Sequence, residues 1–351
     1  MPLTAIAWIG PGTPIDTARL GGKGAGLVRL AADGLPVPPG FVVAPERFDD
    51  MVDDLVEAHL DGGAMSVAEL EDVSARLRTT VFERSADRAV LHEVAAAYED
   101  LGAQAPVAVR SSASGEDSPV HSFAGEHDSY LWVVGVDEVL AAVRHCWASL
   151  YTARALDYRR SAGDLPAGGM AVVVQRMVDA RSAGVFMTLN PSNGDRSKVV
   201  IEAVWGLGEP LVSGTVDPDR FMVDKVTGQI AQRNVAHKAT RAVRDPARTG
   251  IVTVDVPGDQ RDAPCLTDDE IAELVAYARR IERGQGSPQD GEFALDDAGV
   301  QVLQTRPETV WSRRPRTAVT GGRSALQQIL HTIAPDTAPD PHDPADDKER
   351  T

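Results

Sequence analysis

The segment GEFALDDAGVQVLQTR, residues 291–306, leaves little freedom in how it can fold. Two runs of alternating apolar and polar residues flank a turn centred on Asp297–Gly299, the pattern of an antiparallel hairpin. Residue numbers paired across such a turn sum to a nearly constant value, which sets Glu292 opposite Gln304. Side chains alternate with period two, so both fall on the face shared with Ala294 and Val302. Opposed residues lie about 5 Å apart at Cβ. A carboxylate and an amide oxygen at that separation can share a hard cation such as Mg2+. Arg306, two residues beyond Gln304, joins the same face. Glu, Gln and Arg are rarely buried without partners. This face therefore either binds something or is the solvent side of an edge hairpin.

Other segments offer candidates of the same kind. Gly21, Gly22, Gly24 and Gly26 crowd one turn around Lys23, and Leu27, Leu30 and Ala31 follow at helical spacing. The expectation is a Gly-rich loop entering a short helix, closed by Gly34, then a Pro-bracketed strand ending near Val43. Glycines let backbone N–H groups approach an anion, and a helix start adds positive potential, so Lys23 suggests phosphate binding. The spacing is not that of a P-loop, and a tight turn with a solvated lysine is the alternative. Arg110 ends the apolar strand PVAVR and precedes Ser111, Ser112 and Ser114. A planar cation at a strand end suits a polyphosphate. The loop beyond reaches Ser122, Phe123, Ala124 and Gly125, small enough to fold over phosphates as a lid, or to be an ordinary polar loop.

A purine needs one backbone donor, one acceptor and flat apolar cover. Gln175, Arg176 and Met177, in the strand run VVVQRMV, can supply these as a hinge between lobes; a plain buried strand reads the same way. Glu202, before the acidic turn Gly206–Glu209, can touch a ribose or a metal. The eight histidines show no metal spacing. His121 and His127 flank the lid, and His145 reads as a packed core residue. Cys146 and Cys265 are far apart, with no basic neighbour to suggest catalysis.

The chain has 351 residues and a net charge of −17. That length points to two or three lobes. The charge argues against nucleic acid, whose backbone needs Lys and Arg, and leaves a nucleotide open. Two cysteines fit a reducing cytoplasm. The N-terminus has no signal-peptide pattern, and no apolar stretch reaches about 18 residues, so no membrane span is expected. Helical patterns at 46–103 and 137–160, a strand-rich stretch at 170–226 and a capped helix from Thr267 alternate irregularly, which gives an α+β class or a mixed α/β one. In that last helix Thr267 and Glu270 form a capping box, with Ile271, Leu274, Val275 and Ala278 as the buried stripe. The acidic, Pro-rich residues 314–351 read as a disordered tail.

Five motifs occur in order: GGKGAGL…PVPPGFVV, AVRSSASGED…SFAGEHDSYL, VVVQRMV…AGVFMTLNP, IEAVWGLGEPLVSGTVDPDRF and GSPQDGEFALDDAGVQVLQTRPETVW. Together they resemble the nucleotide-binding domain of the pyruvate/phosphoenolpyruvate-dikinase family over residues 12–313. The resemblance implies an ATP-grasp-like fold with two lobes enclosing ATP. One lobe would span 1–185 and the other 186–313. It implies Lys23, Arg110 and Arg306 acting on phosphates, and Glu292 and Gln304 holding Mg2+. It implies Gln175–Met177 as adenine hinge and Ser122–Gly125 as lid, with Glu202 also on the nucleotide. Two departures stand out. Gly291-Glu292-Phe293 replaces the usual Ile-Glu-Trp, and Glu126-His127 follows the lid where Gln is usual.

Relatives of this kind also carry a swivelling domain with a phospho-carrier histidine and a domain for the acceptor. No histidine here sits in the small-residue Thr/Ser-His motif of such a carrier. The resemblance therefore implies an AMP-forming phosphotransferase that needs a partner subunit bearing both domains, as in phenylphosphate synthase or alkylphenol phosphate synthase. Another acceptor, such as an antibiotic or pyruvate, and a non-catalytic ATP-binding regulatory module remain alternatives.

Overall fold

The computed structural model describes residues 5–46, 65–113, 129–162, 169–247 and 249–312. The tail expected at 314–351 lies outside them. Within the described residues, two antiparallel sheets carry the fold. The first runs β1 (Ile6–Trp8), β2 (Gly40–Glu46), β5 (Met170–Arg176), β3 (Val107–Ser112), β4 (Ser129–Val133) in spatial order. The second runs β13 (Gly299–Pro307), β12 (Gln289–Asp296), β6 (Ser182–Met187), β7 (Lys198–Trp205), β8 (Asp219–Asp224), β9 (Ile230–Asn234). A separate hairpin joins β10 (Thr240–Arg244) to β11 (Ile251–Asp255). Antiparallel sheets with helices gathered on their faces are the α+β arrangement. The sheets part between Arg176 and Ser182, so the lobe boundary expected at 185/186 falls inside β6.

Strand β5 is central in its sheet, and Met170 to Val174 are all buried. It reads as a continuous apolar run because both its faces are covered. One face packs on α2 (Val67–Arg84), α3 (Val90–Gly102), α4 (Val136–Ala148) and α5 (Ala153–Ala162), through Leu77, Tyr98, Trp147 and Leu156 against Val109, Val172 and Val174. The other face packs on α1 (Thr17–Ala32), whose Leu20, Leu27 and Val28 lie with Val42 and Val173. The same core reaches Phe186, Ile201, Phe221 and Phe293 of the second sheet, and α7 (Asp268–Gln285), which follows the short α6 (Glu209–Val212) along the chain. Helix α1 thus touches both sheets.

Helix α7 begins as its sequence predicts. Thr267 Oγ1 accepts from the Glu270 amide at 3.3 Å, and Glu270 Oε2 accepts from the Thr267 amide at 2.8 Å. Ile271, Leu274, Val275 and Ala278 are buried. The single helix expected over 137–160 is instead two, α4 and α5, parted by a 3-10 turn at Ser149–Tyr151. Ser149 Oγ donates to Cys146 O and Ser74 Oγ to Tyr151 O, both at 2.7 Å. Thr152 turns extended, and its Oγ1 accepts from the Ala155 amide at 3.3 Å to start α5. Side-chain hydroxyls competing for backbone groups break helices in this way.

Cys146 and Cys265 are both buried thiols, not joined in a disulfide. His145 stacks on Phe82, with ring centroids 4.2 Å apart. Among the described residues no helix is long and apolar enough to cross a membrane.

Candidate functional site

The hairpin β12–β13 pairs Glu292 with Gln304, as expected, and Asp290 with Arg306. Ala298 N donates to Asp296 Oδ1 at 2.8 Å in the turn. The register shifts once, so that Phe293 pairs with Val302 and Leu303 becomes the extra residue of a bulge. This corrects one expectation. Val302 turns with Phe293 into the main core, and Leu303 takes the place beside Ala294.

Pairing continues across the second sheet from Glu292 to Val185, Glu202 and Arg220. Directly opposed residues share a face, so Glu202 lies on the face of Glu292 and Gln304. Arg220 Nη1 stands 3.5 Å from Glu202 Oε1. Asp290, two residues before Glu292, belongs to the same face. Sequence reasoning missed it, although the alternation that placed Glu292 also places Asp290. Arg306 Nε lies 3.5 Å from Asp290 Oδ2. Burial pushes the Asp290 carboxyl above its ordinary range, against the opposing pull of Arg306.

The first sheet meets this face through Arg110. Arg110 Nη2 donates to Glu292 Oε2 at 3.0 Å, with the two side chains 15% and 33% exposed. Lys23 reaches the same strand, its Nζ donating to Ser111 O at 3.0 Å. The Gly-rich segment around Lys23 is not the loop expected. It lies inside α1, kinked at Gly21. Its glycines serve close packing: Gly22 N donates to Ala113 O at 3.0 Å and Gly24 N to Ser112 Oγ at 3.1 Å. A Cβ on Gly21 would sit 2.0 Å from Ser112 O. Lys23 is thereby pinned at the end of β3.

Two amides of the expected hinge already donate to main-chain carbonyls: Arg176 N to Pro39 O at 2.9 Å and Met177 N to Pro106 O at 2.8 Å. Gln175 is buried, with its Nε2 donating to Pro38 O at 3.2 Å. The stretch also carries apolar cover. Met177 and Leu303 pack in a small cluster with Trp132, Ala183 and Ala294. The expected lid, Ser122–Gly125, and the flanking His121 and His127 lie outside the described residues.

The donor set fits a divalent cation. Gln304 Oε1 is buried and accepts no hydrogen bond, directly across from the Glu292 carboxylate. A buried acceptor left unpaired costs about 1–3 kcal/mol, and a cation between the two would satisfy it. Among the described residues no cluster of three or more His, Cys, Asp or Glu could hold a metal. Two protein oxygens suit Mg2+, which keeps waters and shares substrate phosphates.

The structure also explains one departure in the hairpin. Gly291 pairs with Phe186, and a Cβ on Gly291 would lie 2.1 Å from the Phe186 ring. The ring fills the space that a larger residue at 291 would take.

Comparison with known proteins finds relatives over most of the chain. A probable phosphoenolpyruvate synthase of Methanothermobacter thermautotrophicus is 40% identical over 306 residues, covering 84% of this chain and 44% of its own length. A rifampicin phosphotransferase of a Streptomyces species is 41% identical over 302 residues, covering 83% of this chain and 34% of its own. The chain therefore spans less than half of either relative. The solved D-alanyl-alanine synthetase A of Vibrio cholerae aligns over 82% of this chain and 55% of its own, at 11% identity and a TM-score of 0.33. The family described as "Pyruvate phosphate dikinase, AMP/ATP-binding domain" matches residues 17–324, and the chain belongs to it.

Proposed function

We propose that this chain is the nucleotide-binding part of an AMP-forming, dikinase-type phosphotransferase, with ATP held between the two sheets in an ATP-grasp-like manner. ATP, water and a carrier histidine give AMP, Pi and phosphohistidine, and the phosphoryl group then passes to a phenol-like acceptor. The carrier histidine is assigned to a separate subunit, as in phenylphosphate synthase.

The observation that carries this reading is the unsatisfied Gln304 oxygen opposite Glu292, in reach of the Arg110 strand. Glu292 and Gln304 would hold Mg2+, which when bound neutralises phosphate charge. Arg110, Lys23 and Arg306 bind phosphate oxygens; arginine does so through a planar fork. Glu202 faces the nucleotide from the same sheet. Phosphoryl transfer asks the protein mainly for positioning and charge stabilisation, and these residues supply both. A purely regulatory ATP-binding module has less need of the whole set.

The two relatives are named for different reactions, yet each matches more than four fifths of this chain. That supports placing acceptor recognition, whether of a phenol, pyruvate or an antibiotic, outside this domain. The test follows nucleotide products when the full chain is mixed with its co-encoded partner and candidate phenols. AMP and Pi, formed only with the partner and accompanied by acid-labile phosphohistidine, are expected. ADP as the only product, or turnover that ignores the partner, would sink the proposal.

A further inference from the structure

Arg110 and Glu292 are bonded to each other, yet the proposed function gives each a different partner: phosphate for Arg110, the metal for Glu292. We propose that this pair makes the site select metal-complexed ATP over the free nucleotide, an inference that rests on the reading of the site given above.

With nothing bound, each residue is the other's counter-ion at 3.0 Å, and both are largely withdrawn from water. Metal-free ATP that draws Arg110 to its phosphates strips Glu292 of its cation and leaves a carboxylate beside a polyanion. Like charges close together in a partly buried site are costly. A divalent cation arriving alone must displace the guanidinium and then lie beside it. When the two arrive together, Arg110 passes to phosphate oxygens and Glu292 to the cation, so every broken charge contact is replaced. Neighbouring charges join the exchange without replacing the pair: Arg306, 3.5 Å from Asp290, and Lys23, placed against Ser111 O, also turn to phosphate, Glu202 keeps Arg220 at 3.5 Å, and none of them supplies Glu292 with a new cation. The coupling is reciprocal, so metal raises nucleotide affinity by the factor by which nucleotide raises metal affinity.

Calorimetry on the full chain tests this with ATP in excess EDTA and ATP in excess Mg2+. Wild type should prefer the magnesium complex by roughly tenfold or more, the scale of a charge-assisted hydrogen bond. Glu292→Gln should bind metal-free ATP more tightly than wild type, and its preference for the magnesium complex should collapse. A second variant reads the other side of the exchange. Arg110→Met should bind Mn2+ without nucleotide more tightly than wild type, seen as loss of the free Mn2+ resonance. Selection by the pair is overturned if wild type binds MgATP but Glu292→Gln gains no affinity for metal-free ATP, or if Arg110→Met gains none for Mn2+. Wild type that binds neither form of ATP would overturn the nucleotide reading itself, and the selection with it.

Discussion

Phe186 and Gly291 face each other on adjacent strands, and the ring of the first occupies the volume that a side chain on the second would need. Phe186 is fully buried. Its replacement by Ala should cost about 3–5 kcal/mol, and Gly291→Ile alone should cost about 1–3 kcal/mol or more by overpacking. Combining the two should cost clearly less than their sum, by roughly 0.5–3 kcal/mol of coupling. Urea denaturation of the four proteins measures this. Strict additivity would mean that the ring and the glycine do not exchange volume.

The kink in α1 makes a second, sharper demand on backbone. Gly21 has φ 67° and ψ 178°, a region open to few residues but glycine. Its Cβ would also strike Ser112 O. Gly21→Ala should lose about 1–3 kcal/mol from backbone strain alone, with the clash adding to it. Gly24→Ala is the control, because its φ is ordinary and the nearest atoms to its Cβ would be side-chain carbons, the Val42 methyls at 3.0 and 3.1 Å and Leu20 Cβ at 3.3 Å. Thermal melts should place Gly21→Ala well below Gly24→Ala; equal melting temperatures would refute the close approach of α1 to β3.

Asp290 gives the fold a pH dependence whose sign is fixed. Burial raises its carboxyl pKa in the folded state, above the unfolded value of about 3.9. The folded chain therefore holds this proton more tightly than the unfolded one. The stability it contributes is full below about pH 3.9 and is lost as pH rises through the raised native value. Asp290→Asn should accordingly gain stability relative to wild type near neutral pH and lose that advantage in acid. Denaturant midpoints measured from acid to neutral pH decide it, and a constant offset between the two proteins would contradict the assignment.

Gln304 should separate stability from binding. Its Oε1 is buried without a partner, so Gln304→Leu removes an unpaired acceptor, a gain of up to about 1–3 kcal/mol. The variant should melt no lower than wild type while Mg2+-dependent ATP binding is lost. A large fall in melting temperature would show instead that the amide is structural.

Much of this was legible beforehand where a local rule decides the answer. The pairing of Glu292 with Gln304 was expected from a turn centred on Asp297–Gly299, although the pairs beside the turn run one residue tighter and the bulge at Leu303 restores it; the start of α7 followed from Thr267 and Glu270. The bulge was not, because Val302 and Leu303 are both apolar and either can face the core. The Gly-rich stretch read as a loop because glycine signals backbone freedom. Here that freedom serves helix-to-strand contact, which depends on a strand some 88 residues away along the chain. The strands β9 to β11 carry mixed exposed residues such as Gln232, Arg233 and Thr253, so no clean period marks them. The break before α5 lacks Gly or Pro and depends on Ser74, a partner from another helix.

Helix α1 is tied to the first sheet through Ser112 and Val42, and to the far side of the molecule through Gly26 against Thr305 and Arg29 Nη1 on Gln285 Oε1 at 2.9 Å. It therefore acts as a strut between two plates. Lys23 rides on that strut near its first-sheet anchorage, so its position is set by both plates at once. The chain itself crosses from one plate to the other only between Arg176 and Ser182 among the described residues, so the strut, not the backbone connection, carries most of their alignment.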